Sequence, residues 1–270
     1  MGPAQRSPSP WGAACTPPDR LVTMTPRPVM VDIEARDVGA LARFWAQALG
    51  RTAHDTDGTR HVAPARPDLA DVTLSVVPAV PASGPPTRAK NRLHLDLAGA
   101  SAAHRAELVG RLRDLGATPL DVGQGEVPWT VLADPEGNAF CVLEPRETYR
   151  DTGLPAAVVI DCVEPHTMAS FWGKALHWTV HEVTEAYASL RSPRDAGPYL
   201  EFLRTPDSDT GPDRLRLALL AGSGDPAAEI ARLRTLGATG GDAGRGGPPG
   251  AVLADPEGHA FRVVTSGRSS

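Results

Sequence analysis

The chain has 270 residues, of which 41% are hydrophobic and 22% charged, and this length and composition predict two compact domains, each with its own core. A formal net charge of −5 without a block of like charge argues against a nucleic-acid partner, and no apolar run approaches the roughly 18 residues of a membrane span. Three cysteines without paired spacing argue against a disulfide framework, so we expect the protein in a reducing cytoplasm. Lysine makes up a small share of the 27 basic residues, which is typical of a bacterium with a GC-rich genome.

The chain begins with a segment that we expect to be disordered. Residues 1–27 are rich in proline and carry little that could pack into a core. The pattern then becomes regular: Val29–Glu34 predicts a strand, and Val38–Leu49 has apolar residues at helical spacing and is followed by a glycine, a typical helix end. Phe44 and Trp45 lie on this helix, where we expect them in the core.

Two more strands and a second helix follow. Asp71–Val77 predicts a strand, and Arg92–Leu97 alternates between leucines on one face and polar residues on the other. His94 and Asp96 belong to the polar face. Ala102–Leu115 then predicts a helix.

The next elements reveal an internal repeat. Thr130–Ala133 and Ala139–Glu144 predict strands joined by Asp134-Pro-Glu-Gly-Asn138, whose proline and glycine favour a turn. Three motifs recur in the same order: Phe44-Trp45 as Phe171-Trp172, Arg111-Leu-Arg-Asp-Leu-Gly-Ala-Thr118 as Arg232-Leu-Arg-Thr-Leu-Gly-Ala-Thr239, and Leu132-Ala-Asp-Pro-Glu-Gly137 as Leu253-Ala-Asp-Pro-Glu-Gly258. The chain therefore contains two collinear copies of one module, joined by a polar linker near 145–155.

The recurring residues resemble those of the vicinal oxygen chelate superfamily, in particular its glyoxalase-like and bleomycin-resistance branch. The marks are Phe-Trp followed by Ala-Leu in the first helix of each copy, the Leu-Gly-Ala helix end, and the Asp-Pro-Glu-Gly turn. The resemblance implies an α+β fold with two tandem domains, at residues 28–147 and 156–266, each made of paired βαβββ units. It further implies strands that curve around clefts, and two copies that form a pseudo-dimer, in a monomer or in a homodimer.

Metal-using members of this superfamily hold a divalent ion with His, Glu and Gln side chains, and the resemblance allows each ligand position to be checked. In the two copies these positions hold Met30 and Ala157 on the first strand, His94 and Arg216 after the long loop, Cys141 and Arg262 on the last strand, and Thr73 or Ser75 and Glu201 on the fourth strand. Because His94 is the one well-matched ligand in the first copy and arginine repels cations in the second, we expect no cofactor. A divalent metal held by Asp32, His94 and a carboxylate from the other copy is the alternative.

The same positions could instead line a metal-free site for a small molecule. Trp129, just before a predicted strand, is a candidate stacking residue. Arg216 and Arg262 predict a cationic cleft suited to an anionic group, whereas His94 and Asp96 predict a titratable one. The predicted ligand-binding set also includes Glu34, Cys141 and Glu201.

Three functions remain open. The favoured one is a small-molecule binding or sequestration protein of the glyoxalase and bleomycin-resistance type, with an aromatic or anionic ligand. The second is a metal-free enzyme in which His94 acts as acid or base with Asp96, Asp32 or Glu34. The third is a divalent-metal enzyme of glyoxalase, dioxygenase or isomerase type, which metal analysis would separate from the other two.

Overall fold

A computed structural model describes residues 28–64, 71–79, 91–205, 214–221, 225–240 and 250–264. The predicted leader, residues 1–27, lies outside the described residues. Across the described residues the two copies run through the same succession of helices and strands.

Each copy contains two units of one strand, one helix and three further strands. The first copy comprises β1 (Val29–Ala35), α1 (Val38–Leu49), β2 (Thr52–Thr56), β3 (Thr59–Ala63), β4 (Val72–Pro78), β5 (Leu93–Ala98), α2 (Ala102–Asp114), β6 (Thr118–Pro119), β7 (Thr130–Ala133) and β8 (Ala139–Leu143). The second copy comprises β9 (Ala157–Cys162), α3 (Pro165–Leu176), β10 (Thr179–Val183), β11 (Tyr187–Arg191), β12 (Tyr199–Arg204), β13 (Leu215–Leu220), α4 (Pro226–Thr235), β14 (Thr239–Gly240), β15 (Ala251–Ala254) and β16 (Ala260–Val264). The predicted α+β fold of paired βαβββ units is confirmed.

Each sheet joins the first half of one copy to the second half of the other. Sheet A has the strand order β14-β15-β16-β13-β1-β4-β3-β2, and sheet B has the order β10-β11-β12-β9-β5-β8-β7-β6. The junctions are antiparallel, between β1 and β13 in sheet A and between β5 and β9 in sheet B. The two copies therefore form a pseudo-dimer within one chain, and a site on either sheet combines residues from both copies.

The ends of the first helix of each copy follow from local chemistry. The Asp37 side chain accepts a hydrogen bond from the backbone nitrogen of Ala40 at 2.8 Å and so caps α1. Gly50 ends this helix in the left-handed region at a φ of 63°, which a residue without Cβ adopts at little cost. In the second copy Pro165 begins α3, where its fixed φ suits the first turn.

The repeated turn motif ties each half to the other half of its own copy. The indole nitrogen of Trp45 on α1 donates to Asp134 Oδ2 at 3.1 Å. Glu136 Oε1 accepts from the backbone nitrogens of Arg36 and Asp37, both at 2.9 Å, at the start of α1. The second copy repeats these bonds with Trp172, Asp255, Glu257, Val163 and Glu164. The Asp-Pro-Glu-Gly motif thus links sheet B to sheet A through the helix N-terminus.

A hydrophobic core fills the space between the sheets and the helices. It contains Leu93, Leu95 and Leu97 of β5, so that the alternation of this strand sends His94 and Asp96 to the opposite face. The predicted core positions of the repeated aromatic pairs are confirmed, since all four are buried: Phe44, Trp45, Phe171 and Trp172. Among the described residues, no helix combines the length and the apolar character that a membrane span requires.

Candidate functional site

Face A, the side of sheet A that points away from the core, carries two ion pairs between the copies. Asp32 on β1 contacts Arg262 on β16, with 2.6 Å between Oδ2 and Nε. Glu34, further along β1, pairs with Arg216 on β13. Both carboxylates and Arg262 are buried. Each acid of the first copy is thus neutralised by a guanidinium group of the second.

Burial changes the ionisation of groups on face A. It raises the pKa of Asp32 from 3.8 to about 6, although the charges of Arg262 and Arg216 both pull this pKa down. His61 Nδ1 lies 3.0 Å from Ser75 Oγ on the neighbouring strand. Burial, followed by the charge of Arg262, lowers the pKa of His61, so its imidazole is neutral at pH 7.

These contacts decide what face A could hold. Arg216 and Arg262 stand at two of the ligand positions that the family resemblance implies, and their positive charges repel a cation. The residues of face A therefore do not fit a metal ion. The expected preference for an anionic ligand stays a prediction, and the pairing of the two arginines with Glu34 and Asp32 weighs against it.

Face B, the corresponding side of sheet B, has different chemistry. Strand pairing places His94 on β5, Val159 on β9 and Glu201 on β12 in one row across the sheet. The next row contains Cys141, Asp96, Ala157 and Tyr199. One intervening strand therefore separates His94 of the first copy from Glu201 of the second.

Three donor side chains on face B form a compact cluster that could hold a metal. One ligand atom each from His94, Asp96 and Cys141 lies within 4.8 Å of the others, and all three residues are buried. His94 Nε2 is 3.7 Å from Asp96 Oδ1. Imidazole, carboxylate and thiolate are all ligands of Zn²⁺ in proteins, so this donor set fits a divalent ion. The expected lack of a cofactor stays a prediction.

The three tyrosines of the chain all lie on face B near Glu201. The Tyr149 hydroxyl donates to Glu201 Oε1 at 2.9 Å, and the Tyr187 hydroxyl also lies near this carboxyl group. Burial raises the pKa of Glu201, and the two hydroxyl groups offset part of this rise. The ring centroid of Tyr199 lies 6.0 Å from that of Tyr149, in an edge-to-face arrangement. A buried acid surrounded by phenol groups is therefore the main feature of this end of face B.

Arg191 on β11 fixes the position of Tyr199. Its Nη1 donates to the Tyr199 hydroxyl at 2.6 Å, and its guanidinium carbon lies 4.7 Å from the centroid of the same ring. The ring of His181 approaches from another side, with 5.0 Å between centroids. Tyr199 therefore forms a rigid aromatic wall of face B.

An open groove of about 590 Å³ lies beside face B. It is bounded by the segment from Leu120 to Val131 and includes Trp129, a half-buried residue whose indole nitrogen donates to Gln124 at 3.2 Å. Trp129 and Val131 pack against the apolar residues of face B, which are Cys141, Leu143, Tyr149, Ala156, Ala157, Val159 and Tyr199. Trp129 and Val131 therefore line the groove and also contact this apolar floor.

The structure divides the predicted site residues between the two faces. His94, Asp96, Cys141 and Glu201 lie on face B, with Trp129 in the adjoining groove, whereas Asp32, Glu34, Arg216 and Arg262 lie on face A. The predicted combinations of His94 with Asp32 or Glu34, as metal ligands or as an acid–base pair, are therefore wrong. The exchange of halves between the copies places these carboxylates on the other sheet.

Sequence reasoning missed the tyrosines and Arg191. All three tyrosines fall between positions 149 and 199 in a chain with 5% aromatic residues, which is a weak signal of a shared site. No spacing rule brings Tyr149, in the linker, to Glu201 on β12. Only the pairing of β5 with β9 closes that distance.

Comparison with known proteins agrees with this architecture. The family model described as the glyoxalase-like domain matches residues 28–143 and again residues 157–264. The chain belongs to this glyoxalase-like family. It is thus a tandem member of the vicinal oxygen chelate superfamily, as its repeated motifs imply. No curated protein matches the sequence.

Solved structures resemble this glyoxalase-like chain over most of its length. Glyoxalase I from Zea mays is 14% identical with a TM-score of 0.60, and the match covers 89% of this chain and 92% of that one. A "putative dioxygenase" from Bacillus subtilis subsp. subtilis str. 168 is 15% identical with a TM-score of 0.56, and the match covers 90% and 86% of the two chains. At such identities the likeness shows the fold alone.

Proposed function

We propose that this glyoxalase-like chain binds or sequesters a small molecule on face B and in the groove beside it. The observation that carries the proposal is the grouping of His94, Glu201 and three tyrosines around an apolar floor that continues to Trp129. Small-molecule sites are mostly apolar surfaces with a few well-placed polar groups, and face B has this composition. Face A lacks this composition, because its polar side chains form two ion pairs.

The side chains of face B indicate the kind of ligand. Trp129 and the apolar floor favour an aromatic group. Glu201 and Asp96 on face B, together with Asp121 and Glu126 of the groove, disfavour an anion, so we propose a neutral aromatic ligand. The protein would act in the bacterial cytoplasm as a monomer whose fused copies replace a dimer.

We expect Trp129→Ala to weaken the binding of aromatic ligands by about 5- to 150-fold, the effect of losing an aromatic anchor worth about 1–3 kcal/mol. Calorimetric titration with 2-naphthamide and 2-naphthoate measures this change, and the neutral amide should bind more tightly than the carboxylate. His94→Gln should also weaken binding.

The repeat offers a matched control for this titration. Arg216 stands on face A at the position that His94 takes on face B, so Arg216→Gln should leave both affinities unchanged. Unchanged affinity in Trp129→Ala would show that the ligand does not use the groove. Loss of affinity in Arg216→Gln alone would indicate that the ligand binds on face A.

The cluster of His94, Asp96 and Cys141 favours a second candidate, a metal-dependent enzyme. These three residues would hold the ion, which would polarise a substrate oxygen as a Lewis acid. Under the first proposal, elemental analysis of protein purified without chelator should find no stoichiometric zinc, iron, nickel or manganese.

A bound metal would be assigned by comparing Cys141 and Cys162, which are both buried. Near one ion per chain, lost in Cys141→Ala and kept in Cys162→Ala, would establish the second candidate in place of the first. Cys162 is a suitable control because it is also buried and lies outside the cluster.

A further inference from the structure

The segment between the two copies places a tyrosine side chain on face B. Residues Glu147–Tyr149 form a single turn of 3-10 helix between β8 and β9. The side chains of Glu147 and Arg150 are 81% and 68% exposed, whereas Tyr149 is buried against face B. The linker is therefore a surface turn with one residue inserted into the proposed ligand site.

Tyr149 and Tyr187 each place a hydroxyl group beside Glu201, but they belong to structures of different rigidity. Tyr187 belongs to β11, which the pairing with β12 holds in register. The ring of Tyr149 is buried, but its backbone is held by local bonds, such as that from its nitrogen to the Arg146 oxygen at 3.1 Å. A single 3-10 turn outside the sheets opens at lower free-energy cost than a strand that is paired on both sides. Tyr149 is therefore the donor that can leave.

The surroundings of Tyr149 define what could replace it. Glu201 is 3% exposed, and a carboxyl group at that depth is costly without hydrogen-bond donors. A replacement must therefore donate to Glu201. It must also place a flat apolar ring against Tyr199, Ala157 and Val159.

We propose that Tyr149 occupies the place of the ligand, and that an aryl hydroxyl compound binds face B by displacing Tyr149 and donating its hydroxyl to Glu201. This inference rests on the proposed function and adds to it the class of ligand and the movement of the linker. Tyr149 acts as an internal competitor, so the apparent affinity for the ligand falls as the fraction of chains with Tyr149 bound to Glu201 rises.

The test uses 4-cresol, which has the structure of a tyrosine side chain, and 4-methylanisole, in which the hydroxyl is methylated. In calorimetric titrations the parent should bind 4-cresol more tightly than 4-methylanisole. Tyr149→Phe keeps the ring and removes the competing donor, so 4-cresol should bind about 3- to 10-fold more tightly, the effect of one net hydrogen bond. Tyr187→Phe removes a hydroxyl group beside the same acid from a fixed strand and should not tighten binding.

Hydrogen exchange reports the displacement itself. Saturating 4-cresol should speed the exchange of the Tyr149, Arg150 and Thr152 amides, which donate within the linker turn. Slower or unchanged exchange there, equal affinity for the two probes, or no binding of 4-cresol to Tyr149→Phe would each overturn the inference. Binding of 2-naphthamide that Trp129→Ala weakens would still support the proposed function in those cases.

Discussion

Replacing Arg262 with methionine is expected to lower the free energy of unfolding by about 3–5 kcal/mol at pH 7, because it leaves a buried carboxylate without its counter-charge. Asp32 is 1% exposed, and its Oδ2 lies 2.6 Å from Arg262 Nε. Methionine retains most of the volume of the arginine stem, so the loss reports the charge rather than a cavity. Chemical denaturation of the parent and the variant measures it.

The equivalent positions on face B supply the control for Arg262→Met. There Val159 takes the place of Asp32, and Cys141 takes the place of Arg262, both within one apolar cluster. A double variant, Asp32→Val with Arg262→Met, places the valine of face B on face A and keeps the volume of the arginine stem. It should be within about 1 kcal/mol of the parent, since buried ion pairs are often replaced without loss by apolar groups of similar volume. If the double variant is as unstable as Arg262→Met, packing and not charge accounts for the loss.

The cost of Arg262→Met should also depend on pH. The pKa of Asp32 is about 6 in the folded chain and 3.8 in the absence of the fold, so the folded state holds this proton more tightly. The contribution of Asp32 to stability is therefore full below pH 3.8 and falls as pH rises to about 6, by at most about 1.4 kcal/mol per pH unit. Without Arg262 the pKa of Asp32 lies higher still, so the variant takes up the proton first as pH falls. The difference between parent and Arg262→Met should therefore shrink as pH falls towards about 6 and level off below it. A difference that is constant from pH 4 to pH 8 would contradict this account.

The local pattern of the sequence was sufficient to predict most of the elements. The strand predicted at Thr130–Ala133 has those bounds, and the helix predicted at Val38–Leu49 does also. Alternation along β5 correctly placed the leucines in the core and His94 on the opposite face. These features depend on neighbours close in sequence, which periodicity reports directly.

The composition of the two faces depends on pairings that local patterns do not report. Arg216 and Glu34 are 182 positions apart, and their contact requires β13 of the second copy to pair with β1 of the first. With each copy taken by itself, Arg216 predicted a cationic cleft and Glu34 a ligand-binding residue. The linker was also misinterpreted, since its polar composition gave no sign that Tyr149 is buried against Glu201.

Asp134→Ala is expected to lower the free energy of unfolding by about 3–5 kcal/mol, because four donors lose one buried acceptor group. Asp134 Oδ1 accepts from the backbone nitrogens of Glu136 at 3.0 Å and Asn138 at 2.9 Å, and Oδ2 accepts from Trp45 at 3.1 Å and the Asn138 side chain at 2.9 Å. The turn and the helix that it anchors should loosen together. Thermal unfolding followed by calorimetry measures the loss.

Asp134→Asn separates the contribution of the hydrogen bonds within the turn from that of the bond to Trp45. The asparagine oxygen can still accept from the two backbone nitrogens of the turn, but its amino group cannot accept from Trp45, so the loss should be about half that of Asp134→Ala. Asp255→Ala tests the same motif in the second copy, where the indole of Trp172 lies 3.4 Å from Asp255 Oδ2. Because this bond is longer, Asp255→Ala should cost less than Asp134→Ala. A loss below about 1 kcal/mol in both alanine variants would show that the repeated aspartate shapes the turn without holding the two sheets together.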